Sequence, residues 1–104
     1  MRDDPGSMFN EPALFLQAFA NGRRLHVLTL LIEAEWDVTS LAAAVGLSQS
    51  ALSQHLAKLK AAGLVTIRSE AQTIWYRCNS KAVGDILMLL ASSFHVPADV
   101  PEVA

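Results

Sequence analysis

The sequence predicts a mainly α fold with one β-hairpin, in the order helix, helix, helix-turn-helix, hairpin, helix. Three observations predict it. Residues 47–63, LSQSALSQHLAKLKAAG, read as one helix with both ends marked. A brief helix closed by Gly46 stands directly before it. Two runs rich in β-branched and aromatic residues, 64–68 and 72–78, follow it with a short break between them.

The helix over 47–63 organises the rest. Ser48 is placed to cap it by accepting from a free backbone N–H. Leu47 before the cap and Leu52 after it have the spacing of a hydrophobic staple. Gly63 stands where a left-handed residue closes a helix. Leu52, Leu56 and Leu59 form one apolar stripe, and Ser50, Ser53, Gln54 and Ala57 fall on the opposite face. That face is short, uncharged and rich in donors and acceptors. Helix propensity does not explain it, because serine and glutamine are no better helix formers than glutamate and lysine. It suits base edges in a DNA major groove, where a flat polar surface and a close backbone are useful. The alternative is a merely solvated face.

Composition sets bounds on the answer. With 104 residues the chain has room for one domain. Hydrophobic residues make up 52%, enough for a core and, in so short a chain, for a partner interface as well. No apolar run reaches the length of a membrane span, and no secretory pattern opens the chain. Cys78 is the single cysteine and has no internal disulfide partner. The expected compartment is the cytoplasm. A net charge of −2 argues against a polyanionic partner until its distribution is read. Residues 48–77 carry Lys58, Lys60, Arg68 and Arg77 against Glu70 alone, whereas the flanking segments are acidic on balance. The basic excess is modest, so phosphate contacts from one copy would be few and two copies would be needed.

In chain order, residues 1–9 are expected to be disordered or tag-derived, 10–95 to form the domain, and 96–104 to be a flexible tail. The first helix is expected over 11–20, with Asn10 as its cap and Pro12 in its first turn. Leu14, Phe15, Leu16 and Phe19 are too many apolar groups for a narrow stripe, so part of this helix should meet a second surface. Asn21-Gly22 breaks it. The next helix runs from Arg23 to about Glu35, with Leu25, Leu28, Leu31 and Ile32 at core spacing. Arg23 and Arg24 at its start oppose the helix dipole, which leaves contact with phosphate or plain solvation as their reason. His26 reads as a boundary residue. Trp36-Asp37-Val38 reads as an extended link. Thr39 or Ser40 then starts the brief helix, and the turn at Gly46-Leu47-Ser48 completes a helix-turn-helix.

A hairpin directly after such a unit is a wing. Its turn is expected at Ser69-Glu70-Ala71, with Arg68 as the hand that reaches phosphate, and Gln72 and Thr73 read either as tip contacts or as plain strand residues. Trp75 reads as a packing residue. Asn79-Ser80 caps a last helix from Lys81 to about His95, apolar on nearly every side and too short to span a bilayer. Together with the first helix it implies a homodimer, with Leu14, Phe15, Phe19, Ile86, Leu87, Leu90 and Phe94 at the interface.

The runs LSQSALSQHLAKLKAAGLV and AQTIWY, within the element order over roughly 10–95, resemble the ArsR-type winged helix-turn-helix regulators, in particular their NolR/HlyU/BigR-like subgroup. The resemblance implies a homodimer formed through the first and last helices and bound to an imperfect palindrome in promoter DNA. It places Ser48, Gln49, Ser50, Ser53, Gln54 and His55 at or near double-stranded DNA, although helical projection puts His55 at the edge of the apolar stripe. The expected function is a sequence-specific DNA-binding transcriptional regulator, a repressor in keeping with most of the family.

The family's metal sites are not matched. Thiolate sensors carry Cys-x-Cys where this chain has Asp37-Val38-Thr39, and the zinc-sensor positions correspond to Ser80, Ala82, Ser93 and Val96. No metal or other cofactor is therefore expected, and an unknown small-molecule effector stays open. Redox-sensing members pair two cysteines in one chain. Cys78 alone reads first as a small packing residue, with a redox-responsive regulator as an alternative. A winged-helix protein-interaction module is the other alternative. An enzyme is not expected, because the chain has no phosphate-binding glycine loop, metal-ligand cluster or nucleophile–base pair.

Overall fold

A computed structural model describes residues 5–94. The elements are α1 (Asn10–Phe19), α2 (Gly22–Glu33), β1 (Trp36–Asp37), α3 (Val38–Val45), α4 (Gln49–Ala61), β2 (Thr66–Glu70), β3 (Thr73–Arg77) and α5 (Lys81–Phe94). This is the expected winged helix-turn-helix order with one further strand. The three strands form an antiparallel sheet in the order β1-β3-β2. His95, Val96 and the tail over 96–104 lie outside the described residues, as do the first four of the segment 1–9. Pro5–Phe9 forms a 3-10 turn where the sequence led to an expectation of no structure.

Local chemistry sets most helix ends. The Asn21 side chain caps α2 by accepting from the Arg23 and Arg24 amides at 2.9 and 3.1 Å. Ser48 caps α4 by accepting from Ala51 N at 3.1 Å, and Ser80 caps α5 by accepting from Val83 N at 3.2 Å. Gly46, at φ +71°, closes α3. Its amide and that of Leu47 return to the carbonyls of Ala43 and Ala42.

Two expected helix starts are corrected. Asp37, not Thr39 or Ser40, caps α3, accepting from Ser40 N at 3.1 Å, because the helix starts at Val38. Asn10 is the first helical residue of α1 rather than its cap.

The core lies between the faces of α2, α3 and α4. Val27, Leu28 and Leu31 meet Leu41 and Val45 from α3 and Leu52, Leu56 and Leu59 from α4, all essentially inaccessible to solvent. Burying each of these leucines contributes on the order of 1.5–3 kcal/mol relative to leaving it exposed. Phe19, Cys78 and Val83 join the same core, and the Cys78 amide donates to the Leu31 carbonyl at 3.1 Å. The α4 stripe is therefore anchored by residues from two other helices, which sets the direction of its opposite face.

The sheet departs from the sequence expectation in three respects. Trp36-Asp37 is a strand rather than a link, with Trp36 opposite Tyr76 and Asp37 opposite Trp75. Leu64 and Val65 are buried connectors, and β2 begins only at Thr66. The hairpin turn is Ala71-Gln72, not Ser69-Glu70-Ala71, because Glu70 pairs with Thr73 and leaves a two-residue loop. Both loop residues have positive φ, +48° and +71°, the handedness that matches the twist of the flanking strands.

Candidate nucleic-acid interface

On α4, Leu52, Leu56 and Leu59 point into the core, while Gln49, Ser50, Ser53, Gln54 and Ala57 are exposed. Ser48 stands exposed at the helix start, its Oγ 3.5 Å from that of Ser50. The side chains of Gln49, Ser53 and Gln54 have no hydrogen-bond partner among the described residues, so their donors and acceptors are free to meet another surface. Lys58 and Lys60 follow in the last turn, exposed and outside any ion pair among the described residues. They complement the negative end of the helix dipole and supply positive charge beside the polar face. Of the residues expected at DNA, Ser48, Gln49, Ser50, Ser53 and Gln54 are thus gathered on one exposed surface.

His55 lies on the flank of that surface. Arg24 Nη1 is 3.3 Å from its Nδ1. Guanidinium has no acceptor, so the imidazole must accept at Nδ1, and its neutral form carries the proton on Nε2. Burial, and then the charges of Arg24, Lys58 and Arg23, hold the His55 pKa below the usual histidine value. Arg24 is itself buried and donates from Nε to the Ala18 carbonyl near the end of α1 at 2.8 Å. Arg23 Nη1 donates to the Val45 carbonyl at the end of α3 at 2.7 Å. The two arginines were expected to be phosphate ligands or solvated cations. Instead they bond to the ends of neighbouring helices and fasten α1, α3 and α4 to the start of α2.

The wing differs most from expectation. Arg68 is not at the tip but in mid-strand, opposite Trp75. Its Nε and Nη2 donate to the two carboxylate oxygens of Glu35 at 2.7 and 2.8 Å, and its Nη1 donates to Glu70 at 2.6 Å. The guanidinium carbon also lies 5.8 Å from the centre of the Trp75 ring. These hydrogen bonds raise the Arg68 pKa and hold the Glu35 carboxyl below its usual value. Sequence reasoning gave neither Glu35 nor Glu70 a contact with Arg68. No local pattern links position 35 to position 68. Gln72 is exposed at the turn, and Thr73 is half-buried at the first position of β3.

The residues assigned to a dimer interface also divide. Phe19 is a core residue of its own chain, 7% exposed, and Phe15 packs on it with ring centres 5.2 Å apart. Ile86 and Leu87 are half-buried against the core, and Leu90 is half-buried. Leu14 and Phe94 are exposed. So are Leu16, Met88 and Leu89, together with Met8 and Phe9 ahead of α1, none of which was assigned to the interface.

Cys78 is 2% exposed, and burial pushes its thiol pKa up. Of the zinc-sensor positions, Ser80 is occupied as a helix cap, Ala82 and Ser93 are exposed, and Val96 lies outside the described residues. Among the described residues no three His, Cys, Asp or Glu side chains gather where they could hold a metal ion. No helix among them is long and apolar enough to cross a membrane.

Comparison with known proteins shows the family and the fold. The family described as bacterial regulatory protein, arsR family, matches residues 21–66. The nodulation protein NolR of Rhizobium meliloti is 50% identical over 88 residues, which is 85% of this chain and 72% of that protein. The transcriptional activator HlyU of Vibrio cholerae is 48% identical over 77 residues, 74% of this chain and 71% of that protein. A biofilm growth-associated repressor of Xylella fastidiosa is 30% identical over 93 residues, 89% and 82% of the two chains. Among solved structures, NolR from Sinorhizobium fredii superposes with a TM-score of 0.85 at 43% identity, covering 93% of this chain and 99% of that one. A homodimeric winged helix-turn-helix DNA-binding domain from Mycobacterium bovis superposes with a TM-score of 0.77 at 30% identity, covering 99% and 97%.

Proposed function

The chain belongs to the arsR family of bacterial regulatory proteins, whose members are DNA-binding transcriptional regulators rather than enzymes, and on that footing we propose that it binds an imperfect palindrome in promoter DNA as a homodimer. The proposed readers are Ser48, Gln49, Ser50, Ser53 and Gln54, seated in the major groove, with His55 at the groove wall and Gln72 and Thr73 as wing contacts. The observation that carries this reading is the free, uncharged amide and hydroxyl face of α4, held outward by three buried leucines. Glutamine suits adenine, whose N6 and N7 it meets with two hydrogen bonds, and serine accepts several base edges.

Two copies supply what one lacks. The protein is acidic overall, and Lys58 and Lys60 are the exposed cations of α4. Doubling them across a two-fold axis doubles the phosphate contacts. The exposed apolar residues of α1 and α5 are the surface on which the second copy is proposed to sit, and the relative from Mycobacterium bovis is a homodimer. Occupying a promoter in this way represses by exclusion, in the cytoplasm, and no metal enters the proposal. Cys78 is assigned to packing, since a buried thiol with a raised pKa is a poor nucleophile.

The test is selection of short duplexes from a genomic pool by purified protein, with and without reductant. An enriched inverted repeat, indifferent to reductant, is expected. On that duplex, Ser53→Ala and Gln54→Ala should each cost about 1–3 kcal/mol per lost base contact and relax preference at one position of each half-site. Enrichment in only one redox state would overturn the packing role of Cys78. No enrichment at low salt would overturn the DNA reading and favour a protein-interaction module.

A further inference from the structure

We propose that Arg68 and Glu35 are positioning residues for DNA binding: their ion pair straps the wing to the corner between α2 and β1 and so sets where Gln72 stands relative to α4. This rests on the DNA-binding reading above. The sheet order is β1-β3-β2, so Glu35, directly before β1, reaches across the central strand to Arg68 on the outer one. The strap passes over Trp75, which lies directly opposite Arg68 in the ladder and has its ring beneath the guanidinium. Apart from its ladder with β3 and the buried Leu64 and Val65 before its first residue, little else among the described residues holds the outer strand. Every residue of β2 is exposed, and β1 contributes only two residues to the ladder at the base of the hairpin. Without the strap, the twist of β2 about β3 would be set by the two-stranded ladder alone, and two-stranded ribbons twist variably.

The competing role for Arg68 is the one its residue type suggests, a phosphate ligand. The local charge opposes it. One guanidinium stands against two carboxylates, each within 2.8 Å, and three of its five N–H groups are already donated to them. A phosphate approaching Arg68 would meet Glu35 and Glu70 at the same range. Arg77 stands on the same face and offsets one of the two carboxylates, so the face carries no free positive excess, and the charge of Arg68 is engaged in holding the hairpin in place.

The two roles predict opposite signs for one substitution. Operator affinity would be measured by fluorescence anisotropy over a series of KCl concentrations for the wild type, Glu35→Gln, Arg68→Gln and the double variant. The duplex is the one selected by the wild type, and hydroxyl-radical footprints are taken in parallel. Exposed ion pairs contribute little to folding, so all four chains are expected to fold, which thermal unfolding checks. On the positioning role, Glu35→Gln and Arg68→Gln both weaken binding about two- to fivefold, the worth of such a pair, although one removes a negative charge and the other a positive one. The double variant is no weaker than either single variant, and the salt slope stays at the wild-type value. Protection is lost at the outer, wing-side positions while that of the α4 half-site persists. If Glu35→Gln tightens binding while Arg68→Gln weakens it and lowers the salt slope by about one, Arg68 is a phosphate ligand and the proposal is overturned. Unchanged affinity in all variants overturns it as well. A wild type that selects no duplex overturns the DNA reading itself. In that event amide exchange over residues 71–77, which should speed up in Glu35→Gln, still reports whether the strap holds the wing.

Discussion

His55 joins the exposed face of α4 to the rest of the molecule through Arg24, and its protonation state follows from that contact. Arg24 donates to Nδ1, and a second proton there would face the cations of Arg24 and Arg23 from α2 and Lys58 from α4. Desolvation lowers the pKa further, as it does for His26, where Arg23 adds to the effect. The direction of the pH dependence follows. Both histidines bind a proton more readily in the unfolded chain, whose value is about 6.5. Stability should therefore be at its plateau above about pH 6.5 and fall as the pH drops below that value towards the lowered folded ones. Glu35 and Asp37, with lowered carboxyl values, lose their contribution only at more acid pH, below the range in which the histidines titrate. Urea midpoints between pH 7.5 and 5.5 should fall for the wild type and fall less for His55→Gln; equal slopes would sink the assignment. Nitrogen NMR shifts should find the neutral ring protonated on Nε2. That His55 borders the core was legible from its place beside the leucine stripe. That an arginine 31 positions earlier holds it was not, because Arg24 carries no local mark distinguishing it from a solvated cation.

Among the elements, α4 was the most legible, because its signals lie within one run of residues: a serine cap, leucines at helical spacing and a glycine after the end. The hairpin was less so. Its turn uses Ala71 and Gln72 at positive φ, where asparagine and glycine are the usual residues, so composition placed the turn early. The conformation costs an L-residue on the order of 1 kcal/mol at each position. Replacing the pair, Ala71→Asn with Gln72→Gly, should raise stability by about 1 kcal/mol in chemical denaturation. A loss would mean that the turn has another geometry. The same double variant should weaken operator binding if the Gln72 side chain touches DNA, so stability and affinity would move in opposite directions.

At the scale of the whole molecule, the large apolar residues divide between a core and exposed positions, the most exposed of them on α1, just ahead of it, and on α5, with Ile67 and Ile74 less exposed on the wing. Leu16 and Leu14 stand out from α1, and Met88, Leu89 and Phe94 from α5, each more than half exposed. A chain this small gains by covering such groups, and a second copy offers the same patches in return. Leu89→Glu should shift sedimentation equilibrium towards the monomer and reduce operator affinity steeply, since on the proposed reading one copy alone offers few cations to phosphate. Phe19→Glu should instead unfold the chain, because Phe19 is packed inside the protomer. A Leu89→Glu protein that remains a dimer would place the interface elsewhere.

The caps of α4 and α5, the stripe periods, the helix-turn-helix corner and the polar face of α4 were determined by sequence alone, because each depends on residues within about two helical turns of one another. The family resemblance rested on the same local runs. Only the tertiary structure decided which of several apolar residues on a crowded helix turns inward, that Trp36-Asp37 joins the sheet, and that Arg23, Arg24 and Arg68 each hydrogen-bond to groups of their own chain. Those outcomes depend on pairs such as Glu35 with Arg68 and Arg24 with His55, which stand more than 30 positions apart. A charged side chain reads the same in sequence whether it is free or paired, and folding alone brings its partner within hydrogen-bonding distance.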